Sequence, residues 1–118
     1  MSTKESRERE ALLQGTLDLL VLRILSLGPH HGHGIVRAIE TQSGNTLLVD
    51  HGSLYPALQR LEQQRLVRAE WGTSEANRRA RYYAITTKGR ARLRADALRW
   101  RRLSGAMIRV LGPALAED

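Results

Sequence analysis

By residue type, His30, His31, His33 and His51 are the side chains best suited to chemistry, because imidazole ligates zinc, copper and nickel. Their spacing argues against a metal site. His30 and His31 are adjacent, no two of the four stand four apart on a helix, and the run HHGHG, residues 30–34, reads as a linker. Asp50-His51-Gly52-Ser53 carries the residue types of a nucleophilic triad, yet triads assemble from separate parts of a fold, not from consecutive residues whose side chains diverge. The chain has no cysteine, which excludes thiolate catalysis, Cys-based zinc sites and disulfides. The expectation is a protein that is not an enzyme, with no metal and no cofactor.

A second constellation suits recognition. In GSLYPALQRLEQQ, residues 52–64, Leu54, Ala57, Leu58 and Leu61 fall at i, i+3, i+4 and i+7 and share one buried helix face. The opposite face shows Ser53, Tyr55, Pro56, Gln59, Arg60 and Gln63. Ser53 and Tyr55 can donate to phosphates or bases, and Gln59 and Arg60 can reach adenine or guanine edges. Pro56, with no donor, serves as an apolar contact or fixes the entry angle. The helix's N-terminal N–H groups and positive dipole add an attraction for phosphate. Either Asp50 or Ser53 caps this helix. With Ser53 as cap, Pro56 lies in the first turn; with Asp50 it lies past that turn and loosens or bends the helix. The plain alternative is a solvated polar face.

The third cluster is Arg78, Arg79 and Arg81. Alternation marks two strands, residues 66–71 with Val67, Ala69 and Trp71 on one face, and residues 81–86 with Tyr83 and Ile85 on one face. They enclose GTSEANRRA, a polar loop of about nine residues that should project as a mobile flap. Arg79 and Arg81 share one side of their strand, and charges at such a tip suit minor-groove or phosphate contact. The alternative is an edge strand protected by charge.

These clusters need a scaffold. Leu13, Leu17, Leu20, Val21, Ile24 and Leu27 mark a first helix from Leu12, stopped by Gly28-Pro29. Ile35, Val36 and Ile39 mark a short second helix ending at Ser43-Gly44, and residues 45–49 form a connector to the third. Thr86 or Thr87 caps a last helix from about Lys88 to Leu111, ended by Gly112-Pro113. Three helices and then a two-stranded flap is the order of a winged helix-turn-helix, whose third helix enters the DNA major groove. At 118 residues one compact domain is expected. The net charge of +7, from 19 basic against 12 acidic residues, and a pI near 11.0 favour a polyanionic partner.

Three segments, GPHHGHGI, GSLYPALQRLEQQRLV and RARYYAITTKGRARL, resemble in order and spacing the pattern of PadR-family transcriptional regulators, over most of residues 13–94. LYPALxRLE and RxRYYxIT together make the resemblance specific. It implies a homodimeric winged-helix repressor whose C-terminal helix pairs the subunits, with double-stranded operator DNA contacted by Ser53, Tyr55, Pro56 and the flap. A single tail helix makes the chain resemble the shorter subfamily. Two positions depart from the family pattern: His33 stands where an aromatic residue, typically Tyr, is usual, and Gly34 where an acidic residue is common.

In the tail, Leu93, Ala97, Trp100, Ser104, Met107 and Leu111 repeat at steps close to heptad spacing. Leu93, Ala97, Trp100, Met107 and Leu111 are therefore expected at a dimer interface or ligand site. Two Trp100 side chains meeting near the dimer axis would form an aromatic slot for a flat ligand; the other reading, an ordinary anchor of the dimer core, is favoured. A small aromatic effector is in keeping with the resemblance, since some family members sense aromatic acids or planar drugs. Arg90, Arg92, Arg94, Arg99, Arg101, Arg102 and Arg109 read as a solvated outer face and not a membrane-surface helix, because the apolar stripe is narrow and Trp its only aromatic. No run approaches the ~20 apolar residues of a membrane span, and MSTKESRERE lacks the apolar region of a signal peptide, so a cytoplasmic protein is expected.

The sequence thus describes a mainly α protein with a small β-hairpin. Residues 1–86 form a winged helix-turn-helix DNA-binding domain, with 1–11 a flexible or helical arm, and residues 87–118 form a C-terminal dimerisation helix and tail. The competing function is a helical protein-interaction module without specific DNA binding. RNA binding is disfavoured, since there is no Phe and only Tyr82 and Tyr83 could offer a strand-borne stacking surface.

Overall fold

The computed structural model describes residues 16–116. The expected arm, the helix start at Leu12 and Leu13, and residues 117–118 lie outside the described residues. Within them the order is α1 (Leu17–Leu25), β1 (His30–His31), α2 (Gly32–Gln42), α3 (His51–Gln63), β2 (Val67–Thr73), β3 (Arg79–Ile85) and α4 (Thr87–Leu115).

α1 is the central strut. Leu17, Val21, Leu22, Ile24 and Leu25 are buried, a wider apolar face than one stripe, because α2, α3 and α4 all pack around this helix. It ends at Leu25, earlier than the expected Leu27, which lies exposed in the following turn. Ile35, Val36 and Ile39 of α2 and Leu54, Ala57, Leu58 and Leu61 of α3 complete the core with Val49, Leu66, Val67 and Tyr83. Full burial of one such leucine is worth about 1.5–3 kcal/mol. Between α2 and α3 the chain turns through Gly44 and Asn45, both at positive φ, and Glu40 organises the turn. Its carbonyl accepts from Asn45 N at 2.8 Å, and its Oε2 accepts from Val49 N at 3.3 Å.

The residues read as a linker, HHGHG, are structured. His30 and His31 form β1, which pairs antiparallel with β3 in the register His30↔Tyr83 and His31↔Tyr82, giving the sheet order β1-β3-β2. His31 also caps α2, its Nδ1 accepting from Gly34 N at 3.0 Å. A two-residue strand has no periodicity to read.

The hairpin differs from expectation in a related way. β2 and β3 pair continuously from Val67↔Ile85 to Thr73↔Arg79, so the loop shrinks from nine residues to residues 74–78. It is closed by Ser74 N donating to Arg78 O at 2.8 Å and by Asn77 at φ 58°. The flap is a braced ladder with a short tip.

Thr86, rather than Thr87, caps α4, its Oγ1 accepting from Gly89 N at 3.0 Å. The same hydroxyl donates to Arg65 O at 2.7 Å, and Lys88 Nζ donates to Gln64 O at 3.0 Å, so the start of α4 is tied to the two carbonyls that directly follow the last residue of α3. Gly89 is buried against the Leu66 carbonyl and Ile85, where a Cβ has no room. Gly112, expected with Pro113 to end the helix, is instead a break at φ 4°, ψ −86°, beyond which helical turns resume to Leu115.

Candidate nucleic-acid interface

The start of α3 is fixed by Asp50, whose side chain accepts from Ser53 N at 2.9 Å; Asp50 and not Ser53 is the N-cap. Two consequences follow for the expected contacts. Ser53 lies in the first turn with its hydroxyl donating to Asp50 Oδ2 at 3.3 Å, and a carboxylate already occupies the positive end of the helix where phosphate was expected. Pro56 lies inside the helix, past the first turn, and leaves the Gly52 carbonyl without its usual N–H.

Tyr55, Pro56, Gln59 and Gln63 project outward as the spacing implied, Tyr55 being 51% exposed. The Tyr55 ring lies over Gly32 at the start of α2, where a Cβ would come within 2.9 Å of its hydroxyl oxygen. Glycine at position 32 is thus what lets the tyrosine settle there.

Arg60 makes an ion pair within the chain: its Nη2 donates to Asp18 Oδ1 at 2.9 Å, linking α3 to α1. Arg81 is likewise engaged, with Glu62 Oε2 at 2.9 Å, tying the hairpin to α3. Sequence spacing could not reveal either pair, since the acids lie 42 and 19 residues away.

Arg79 and Arg81 do share a face of β3, together with Trp71 of β2, whose ring lies 4.3 Å from the Arg79 guanidinium carbon. Arg78 is exposed in the turn. Between this face and the start of α2 and α3 runs an open cleft of about 830 Å³ lined by Tyr55, Trp71, Arg37, Arg78, Arg79 and Arg81, among others. The sequence pattern marks neither Arg37 nor Trp71 as a contact residue. Alternation had placed Trp71 beside Val67 and Ala69, but with strand pairing expected to stop there nothing brought Arg79 to it.

The histidines form a column instead of a metal site. His31 and His33 lie 6.4 Å apart between ring centroids, His33 and His51 6.1 Å, and His51 and Tyr55 6.0 Å, all near parallel. Tyr82 meets His31 edge-on at 5.3 Å. The column links the hairpin to α3 through the start of α2, and His33, in place of the usual aromatic residue, is its middle member. No group of three potential ligands is placed to hold a metal ion among the described residues.

This arrangement, a helix-turn-helix with an outward polar face on α3 beside a cationic hairpin, is matched by known proteins. Residues 21–95 match the transcriptional regulator PadR-like family. The chain belongs to this family. PadR-like proteins are DNA-binding transcriptional regulators and not enzymes.

A PadR family transcriptional regulator from Eggerthella lenta is 29% identical, with a TM-score of 0.74 and 90% of each chain covered. The PadR-like regulator of Bacillus cereus is 26% identical, with a TM-score of 0.74, covering 86% of this chain and 96% of its own. A protein of Lysinibacillus sphaericus is 28% identical over 92 residues, 78% of this chain and 84% of its own. A 37.1 kDa protein in transposon TN4556 of Streptomyces fradiae is 42% identical over 100 residues, 85% of this chain; the chain spans 26% of that relative's length.

The tail of this PadR-like chain carries the second candidate surface. Leu93 is partly buried and packs against the core at the start of this seam. Ala97, Trp100, Met107 and Leu111 are exposed, and Leu103 joins their stripe by its spacing from Trp100 and Met107. Trp100 and Leu103 line a groove of about 490 Å³ against Leu19 and Leu22 of α1, with Arg92 and Arg99 at its edge. No helix of the described residues is long and apolar enough to cross a membrane.

Proposed function

We propose that the protein is a homodimeric repressor that binds an inverted-repeat operator. The observation that carries this reading is the open cleft that Tyr55, on the outward face of α3, shares with the cationic face of the hairpin, with Pro56 and Gln59 exposed on the same helix. α3 enters the major groove, Ser53, Tyr55, Pro56 and Gln59 meet phosphates and base edges, and the hairpin with Arg78 and Arg79 follows the adjoining backbone. Arg60 and Arg81 hold α3 in position through their acids. On this reading residues 1–86 belong to the winged helix-turn-helix domain and residues 87–118 to the dimerisation helix and tail, with two copies joined through the exposed stripe of Ala97, Trp100, Leu103, Met107 and Leu111.

Two-fold symmetry sets the half-sites about one helical turn, roughly 10 base pairs, apart. Repression follows from blocking polymerase access in the cytoplasm. The groove beneath Trp100, with Arg92 and Arg99 at its edge, suits a small aromatic effector. Because the start of α4 is hydrogen-bonded to the carbonyls of Gln64 and Arg65, directly after α3, a ligand that shifts α4 changes the spacing of the two α3 helices and with it operator affinity.

Selection of duplex DNA from a random pool, followed by salt titration of the winner and a scrambled duplex, tests the reading. A palindromic winner with a steep loss of affinity as salt rises is expected. Equal and weak binding of both duplexes would replace it with the interaction-module reading.

A further inference from the structure

Trp71 stands out among the exposed apolar side chains because nothing in the core accounts for it. It is 60% exposed on an edge strand, on the face that looks toward α3. We infer that Trp71 is a positioning residue for DNA, its indole holding the Arg79 guanidinium in the cleft between the hairpin and α3 as a preset phosphate contact. This rests on the DNA-binding reading and assigns within it a residue that neither the motif nor the sequence pattern marks.

Three observations carry it. First, the Arg79 guanidinium carbon lies 4.3 Å from the Trp71 ring centroid, a cation–π distance, while its neighbour Arg81 is neutralised by Glu62. No carboxylate lies within ion-pairing distance of Arg79 among the described residues. The charge is therefore both oriented and available, which is what a phosphate oxygen requires of it.

Second, the ladder that brings Arg79 diagonally opposite Trp71 is braced from behind. Tyr82 lies across Gly72 on the other face, where a Cβ on residue 72 would come within 2.9 Å of the ring, and its hydroxyl donates to Thr73 O at 3.0 Å. A strand held on both faces presents Arg79 from a fixed base, not from a mobile tip.

Third, the cleft into which the pair looks is bounded across from it by Arg37 and Tyr55. A cationic and aromatic channel between a groove-reading helix and a hairpin is shaped for one sugar-phosphate strand. Arginine loses much rotamer freedom when it binds, and stacking on a neighbouring indole removes part of that loss before DNA arrives.

The test is a double-mutant cycle on operator affinity with Trp71→Leu, Arg79→Gln and the double variant, and with Trp71→Phe as the conservative control. Thermal melting checks each fold. The expectation is a loss of about ten-fold for Arg79→Gln, with the salt slope shallower by about one. Trp71→Leu should lose about three-fold when Arg79 is present and nothing further when it is added to Arg79→Gln, and Trp71→Phe should recover most of the loss. Equal losses in both backgrounds, no recovery by Phe, or no loss at all for Trp71→Leu would overturn the inference while leaving operator binding in place. A wild-type protein without operator preference would remove the DNA-binding reading and this inference together.

Discussion

α1 and α4 are both leucine-rich helices, and they use their leucines in opposite ways. α1 is nine residues long and buries Leu17, Val21, Leu22, Ile24 and Leu25. α4 is 29 residues long and buries only Gly89. Beyond the groove it shares with α1, α4 leaves Met107, Ile108, Val110 and Leu111 exposed, Val110 at 85%. The contrast separates two kinds of apolar pattern: one is satisfied within the chain, and the other is complete only against another surface. A contiguous apolar stripe in water marks an interaction site far more reliably than a single exposed leucine does.

The sharpest way to test the contrast is to remove side-chain volume from the packed block. Leu58, on α3, is 1% exposed in the middle of the core, and Leu58→Ala should cost about 3 kcal/mol of stability by lost transfer energy and cavity formation. Thermal or urea unfolding measures it. A loss below about 1 kcal/mol would mean that the block is loosely packed and that α1 and α4 differ less than their burial suggests.

Much of that block is legible in the sequence because its signals are local. The i, i+3, i+4 pattern of Leu54, Ala57, Leu58 and Leu61 gave the buried face of α3, and the complementary face gave Tyr55, Pro56 and Gln59 their exposure. Where the sequence misled, the cause was non-local. The sequence pattern shows Arg60 on the outward face of α3 but not its ion pair with Asp18, which lies far away in the chain. β1 exists only because Tyr82 and Tyr83 offer an edge to His30 and His31. The choice of Asp50 over Ser53 as cap rests on the hydrogen bond from Ser53 N to the Asp50 carboxylate, whose equivalent at Ser53 would need an N–H that Pro56 lacks. Leu93 fits the heptad seam as well as Met107 does, and only tertiary packing assigns the first to the core.

The exposed stripe of α4 is the other side of the contrast. Met107→Glu places a charge in the apolar stripe of α4 at a side chain that is 52% exposed and outside the core. In the proposed homodimer each protomer should keep its secondary structure, while the dissociation constant rises by about a hundred-fold or more, roughly 3 kcal/mol for a charge left without a partner. Sedimentation equilibrium across a concentration series reads this directly. An unchanged mass would show that the stripe meets something other than a second copy of the chain.

A smaller effect is expected on the face of the packed block proposed to meet DNA. Tyr55→Ala removes a half-exposed ring from the outward face of α3 and should weaken specific binding by about 1–2 kcal/mol, with dimer mass unaltered and melting nearly so. Fluorescence anisotropy with specific and scrambled duplexes separates the two losses. Wild-type operator affinity in this variant would take the reading role away from α3. The result also bears on the histidine column, since Tyr55 is its terminal ring beside His51.

The smallest expected effect concerns pH and belongs wholly to the packed block. Tyr83 is buried in the sheet, opposite Ala69, and burial pushes its phenol above the ordinary value of 10.0; Arg81 pulls it down, and Glu62 and Tyr55 push it up. A phenol that ionises later in the folded protein than in the unfolded chain gives a fixed direction to stability. The contribution is fully present below about pH 10, where both states keep the proton, and it is lost as pH rises through the folded value, because the unfolded chain ionises first. Tyr83→Phe should therefore flatten the fall of stability above pH 10 relative to wild type, measured by urea unfolding at a series of alkaline pH values. Met107→Glu should leave that fall unaltered, since it acts on the tail and not on the phenol. Parallel curves for wild type and Tyr83→Phe would place the alkaline loss elsewhere, whereas a slope that changed with Met107→Glu would couple the tail to the core and weaken the contrast between α1 and α4.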